Sequence, residues 1–199
     1  MMFSALTPVS WQIWSFAVLV LGMFMAMDWD LREHRIPNVL ILFLILTGLA
    51  LQTLGPANGR GGLLDYFPGA IGLGAALLGG LVGFAIYLPF YVLRAMGAGD
   101  VKLMAALGVF MGTSDVIGLA LSVLVAGGVL CIIRMLLKRN FVHVFSNMNL
   151  MFVGISQGGA RFDAATPSAD RMPYALSFAT GLAAFSYWRL HGGSQILGF

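Results

Sequence analysis

Charge is scarce in this chain. Asp, Glu, Lys and Arg make up 10% of its 199 residues, where an ordinary soluble domain carries about 25%. Hydrophobic residues make up 59%. A soluble fold so composed would lack the polar surface to cover itself, and a bilayer is the solvent that resolves this. Cysteine is nearly absent. The single Cys131 lies in an apolar run, which excludes a disulfide framework or a Cys-rich zinc site within one chain. It reads as an apolar filler. His34, His143 and His191 lack metal-ligand spacing. There is no Ser/His pairing and no Walker-type loop, the Gly97-x-Gly99 stretch being too short to cradle a phosphate. The first 27 residues hold no Lys or Arg. The first apolar stretch therefore lacks the basic start of a cleaved signal peptide and is expected to stay as a helix. The net charge of +3 is spread singly or in pairs between apolar runs, which argues against nucleic acid as a partner. No long polar linker and no repeat divides the chain, so one integral-membrane domain over 1–199 is expected.

What is present is a series of apolar runs. A spanning helix needs about 20 predominantly apolar residues. Candidates are 11–27, 37–54, 69–93, the short 101–112, then 116–137 and 173–190. The short run fits a brief span, a re-entrant helix or a helix buried among the others. A Gly/Pro/Asn loop covers 55–68, and 138–172 is more polar. Charge placement orders this map, because Lys and Arg concentrate on cytoplasmic loops. With the N-terminus outside and each run crossing once, Arg32, Arg35, Arg94, Lys102, Arg134, Lys138, Arg139, Arg161 and Arg171 lie inside. Only Arg60 and Arg189 lie outside, nine against two. The expectation is an all-α polytopic bundle of about six transmembrane helices with both termini out. Gly79 and Gly83, and Ala76 and Gly80, make small-xxx-small pairs suited to close helix packing in lipid.

Eight acidic residues punctuate this background: Asp28, Asp30, Glu33, Asp65, Asp100, Asp115, Asp163 and Asp170. An acid near a bilayer is expensive and asks for a reason. Asp28 and Asp30 close the first helix, and Asp100 opens the fourth. On the charge map Asp30 and Asp100 share one membrane face. Two carboxylates in one site hold a single proton between them. The ionised member can deprotonate a water and the protonated one can polarise a peptide carbonyl. Neither a metal nor a covalent intermediate is required, and no cofactor is expected. Gly97 and Gly99 permit positive φ or close approach of another backbone beside Asp100. Pro37 pushes Ile36 toward extended backbone, so the first helix should end before Ile36 and the second begin at Pro37 or Asn38. As a purely structural alternative, Asp100 sits where a helix cap would.

These residues carry a family resemblance. Asp30, followed by Ile36-Pro37-Asn38 and then by Gly97-x-Gly99-Asp100-Val101-Lys102-Leu103, resembles the type IV prepilin peptidase family of membrane aspartic peptidases. There an Asp precedes the Pro of an Ile/Leu-Pro-Asn/Asp motif by seven residues, as Asp30 does and Asp28 does not. The second Asp closes Gly-x-Gly-Asp. The similarity runs from about Asp28 to Leu137, and Met172-Pro173-Tyr174-Ala175 also looks similar. The resemblance implies Asp30 and Asp100 as catalytic residues shaped by Gly97, Gly99, Pro37 and Asn38. It implies a prepilin or pseudopilin substrate with a short basic leader, cut after a glycine at the cytoplasmic face of a bacterial inner membrane. Larger members add a methyltransferase region with paired cysteines. The single cysteine here resembles the short peptidase-only members of Tad/Flp-type pilus systems, so N-methylation of the product is not expected.

Other readings stand beside this one. Asp28 is a candidate for substrate binding, and Lys102 for substrate binding or for anchoring a lipid headgroup. Asp115 is expected to cap 116–137 on the outer side. A broader intramembrane aspartic protease would share Gly-x-Gly-Asp but not Ile36-Pro37-Asn38. A non-enzymatic alternative is a membrane scaffold or a small proton- or cation-coupled transporter subunit, in which paired acids bind the ion.

Overall fold

The computed structural model describes residues 7–33, 35–56, 62–65, 68–93, 96–138 and 174–191. These form helices α1 (Pro8–Glu33), α2 (Asn38–Leu54), α3 (Gly72–Val92), α4 (Ala98–Lys138) and α5 (Tyr174–Leu190). Most of the polar stretch 138–172 lies outside the described residues, as do Arg60, Arg94, His34 and His143. Three stretches among the described residues are long and apolar enough to cross a membrane: α1, α3 and Ala98–Arg134. α2 is apolar but shorter.

The first helix ends before Ile36, as expected, though it outruns the apolar span 11–27. It starts where Thr7 Oγ1 accepts the Ser10 N–H at 3.3 Å, with Pro8 at the first helical position, where its missing N–H costs nothing. It continues two turns past residue 27, carrying Asp28 and Asp30 inside the helix. Pro37 stops the chain and restarts it. Its φ of −62° and ψ of 131° are extended, and its carbonyl accepts the N–H groups of Leu40 and Ile41 as α2 begins.

α4 is two rods rather than one. Gly112 has φ 74° and ψ −179°, a region open essentially to glycine alone. A methyl placed on Gly83 of α3 would lie 2.7 Å from the Met104 carbonyl oxygen and 3.1 Å from Val116 Cγ2. In a continuous helix residues 104 and 116 would stand about 18 Å apart. The chain therefore doubles back at Gly112, and 98–111 runs antiparallel to 113–138. The first rod is buried on nearly every side: Leu103, Met104 and Phe110 are 0% exposed. A helix apolar all round belongs inside a bundle. The second rod turns Ile117, Leu121, Val125 and Ile132 outward. The short apolar run is thus buried among the other helices.

Glycine sets how closely α3 approaches this central rod. A Cβ on Gly79 would collide with the Gly108 carbonyl, and one on Gly108 with that of Gly79. Gly80 and Gly83 face the same rod. The small-residue pairs thus serve backbone contact in a setting where apolar burial alone does not hold helices together.

Polar ties at one end of the bundle close the reversal. Gln52 is 0% exposed. Its Nε2 donates to the Phe110 carbonyl at 2.7 Å, and its Oε1 accepts the Ile71 N–H at 3.0 Å. It thereby serves backbone groups beside the break and at the start of α3. At the same end Arg189 Nε donates to Asp115 Oδ1 at 3.0 Å. Both side chains are largely buried. Asp115 is therefore one half of an ion pair that fastens α5 to 113–138, in place of the helix cap expected from sequence. Gln52→Leu removes the side-chain partner of one buried and one part-buried backbone group. It should lower stability by about 2 kcal/mol, measurable as a fall in the thermal unfolding midpoint in detergent.

Candidate active site

The other end of the bundle gathers the acids. Asp30 projects inward from the last turn of α1 and is 8% exposed. It continues the buried stripe Leu19, Met23, Ala26 of that helix. Asp100 stands in the first turn of α4, on the central rod, and is 6% exposed. The two carboxylates are near enough to act on each other electrostatically. Beside them Ile36, from the Pro37 break, lies against Gly99.

Each carboxylate is held through one oxygen by a backbone amide. Asp100 Oδ2 accepts the Gly97 N–H at 3.1 Å, while the Asp100 N–H donates to the Gly97 carbonyl at 3.2 Å. This is the back half of a capping box, with the acid at the third helical position reaching back to the cap residue. Asp100 does cap its helix, though from within the first turn. Asp30 Oδ2 accepts the Ala175 N–H at 3.0 Å, a bond to the start of α5. Among the described residues no donor is recorded to Oδ1 of either aspartate.

Gly97 and Gly99 do not have positive φ; among the described residues only Gly72 and Gly112 do. Close approach by another of the described residues does not explain them either. A Cβ on Gly97 would lie 3.4 Å from Asp100 Oδ2, and one on Gly99 would lie 3.5 Å from Ile36. Their bare backbone therefore borders Asp100 without being required by packing among the described residues. Asn38 opens α2, exposed, and its Oδ1 accepts from Lys102 Nζ at 3.0 Å. That contact joins the starts of α2 and α4 next to the acids. Asp28 lies apart: its side chain is 57% exposed and pairs with Arg32 at 2.9 Å.

Sequence reasoning passed over two tyrosines. Tyr87 of α3 is 0% exposed, packs its ring on Phe178 with centroids 5.6 Å apart and feels the charge of Asp100. Tyr174, first residue of α5, also lies within electrostatic reach of Asp100. The only sequence signal for Tyr174 was its place after Met172-Pro173. Tyr87 had none, being one aromatic among many in an apolar run. Among the described residues no three His, Cys, Asp or Glu side chains cluster.

The motif residues, now seen in one place, can be set beside known proteins. The model of the type IV leader peptidase family matches residues 17–132, more than half of the chain and both aspartates. The chain belongs to the type IV leader peptidase family. No curated protein and no solved structure matches it. Membership makes this a peptidase of helical, membrane-embedded type, in keeping with its apolar helices. The match ends before α5 begins, so the amide on Asp30 comes from outside the matched region.

The exposed Asp28–Arg32 pair contributes little, as i,i+4 surface pairs do. Asp28→Ala should shift stability by less than about 0.5 kcal/mol, read from thermal unfolding in detergent.

Proposed function

We propose that this leader peptidase is an aspartic endopeptidase in which Asp30 and Asp100 jointly activate water to cut the leader from type IV prepilins or pseudopilins of the Flp-like class. The observation that carries this reading is that two buried carboxylates, one from the end of α1 and one from the start of the central rod, stand within electrostatic range of each other at one end of the bundle. Buried acids in a membrane bundle demand a role, and these two stand in the spacing of the family's motifs.

The chemistry follows from the pairing. Two carboxylates sharing a buried site hold one proton. The ionised member takes a proton from water as the water oxygen attacks the scissile carbonyl. The other gives its proton to the carbonyl oxygen, and the leaving amine is then protonated as the C–N bond breaks. The backbone amides on the two Oδ2 atoms hold the carboxylates in place, so little reorganisation is needed at the moment of reaction.

The charge distribution supports six crossings with the N-terminus out and the aspartates facing the cytoplasm of a bacterial inner membrane. Arg32, Arg35, Lys102 and Arg134 belong to the aspartate end, while Arg189 at the other end is neutralised by Asp115. A substrate with a basic leader and an apolar helix would place its leader among headgroups and its helix in lipid. The open backbone of Gly97 and Gly99 leaves room for its extended chain beside Asp100, with Pro37 and Asn38 shaping the opposite wall. On this reading Asn38 and Lys102 border the substrate path.

Co-expression with a leader-bearing Flp-type pilin, with the product N-terminus read by mass spectrometry, tests the assignment. Asp30→Asn and Asp100→Asn should each lower cleavage at least about a hundredfold while the chain still inserts. Cleavage retained by either variant would sink the dyad. Gly99→Ala separates packing from substrate passage. An added methyl meets Ile36 at ordinary contact distance, and alanine favours helix over glycine by up to about 1 kcal/mol. Stability should hold or rise while cleavage falls about tenfold, measured on the same purified protein.

A further inference from the structure

The two aspartates are held by amides of very different origin. Asp100 is bound by Gly97, three positions upstream. Asp30 is bound by Ala175, 145 positions downstream and beyond the region that matches the family. The first amides of a helix have no acceptor within it, and Ala175 is 0% exposed, so water cannot serve its N–H. The Asp30 carboxylate does, at the positive end of the helix dipole.

The position of that amide is fixed along the whole of α5. Gly181 meets the backbone of Val123 with no room for a side chain. Ser122 Oγ donates to the Gly181 carbonyl at 2.9 Å. Phe185 lies over Gly118, and Arg189 is clamped on Asp115. These contacts set the height of α5 against 113–138, and with it the height of the Ala175 N–H at the acid end.

We propose that the first turn of α5 is a positioning element for the catalytic pair, its Ala175 N–H holding Asp30 Oδ2 so that Oδ1 is directed at the reacting water. This rests on the peptidase reading of Asp30. The residue acts through Asp30 and touches no substrate.

Ala175→Pro removes the N–H at a first-turn position that tolerates the proline ring, whereas Ala175→Gly keeps it. With the purified full chain and a leader-bearing pilin, Ala175→Pro should lower kcat at least about tenfold with KM within about twofold, and Ala175→Gly should keep at least about a third of the wild-type kcat. A structural role alone would not split kcat from KM in this way. A second measurement does not depend on the proline variant folding. Exchange of the Ala175 amide hydrogen should speed up at least about tenfold in Asp30→Ala relative to wild type. Equal kcat for the proline and glycine variants, or equal exchange with and without the Asp30 carboxylate, overturns this proposal while leaving the peptidase reading intact. A wild-type chain that cleaves no leader-bearing pilin overturns both.

Discussion

The rod 98–111 is buried on nearly all sides, and the placement of everything else follows from it. Its residues offer apolar side chains in every direction, so it cannot lie at the lipid boundary to any advantage over the interior. α2, α3 and α5 all pack against α4, with α3 held close to the rod 98–111 by backbone contact at Gly79, Gly80 and Gly83. Asp100 stands in the first turn of this rod. A central helix thus carries one acid to the middle of one end of the bundle, where the last turn of α1 supplies the other.

Burying that rod has a cost that the remaining polar residues offset. Within an apolar bundle every unpaired N–H or C=O is expensive, and the reversal at Gly112 interrupts the helical ladder. Gln52 donates to Phe110 and accepts from Ile71, closing the backbone beside the turn. Asp115 and Arg189 form an ion pair at the same end. A buried pair of this kind adds little net stability but strongly resists separation. It is suited to fixing where α5 sits. The acid end differs: each aspartate has one oxygen tied and one without a recorded donor among the described residues. One end of the bundle is closed by its hydrogen bonds, and the other retains groups available for chemistry.

The proposed mechanism depends on that difference. Among the described residues, the two carboxylates are anchored by backbone amides. The glycines beside Asp100 meet no close neighbour among the described residues, which is the pattern expected where a foreign backbone must approach. Asp28, two residues from Asp30, shows how narrow the placement is. The helix turns it outward to Arg32 and exposure, because positions two apart on a helix do not share a face.

Much of the fold and of the site was legible in the linear chain. The shortage of charge required a membrane helix class, and the boundary at 112 between two apolar runs falls on the glycine where the rod reverses. Asp30 and Asp100 stood out because an acid among apolar residues is costly, and Pro37 marked the break between α1 and α2 because its ring fixes φ. Those are local properties, carried by composition, spacing and backbone stereochemistry. What only the tertiary structure decided is which groups meet across long separations. The amide of Ala175 on Asp30, Gln52 serving Phe110, Arg189 on Asp115 and the nearness of Tyr87 to Asp100 leave no periodicity in the sequence. Their partners are chosen by how the rods stack around 98–111, and no residue type announces that in advance.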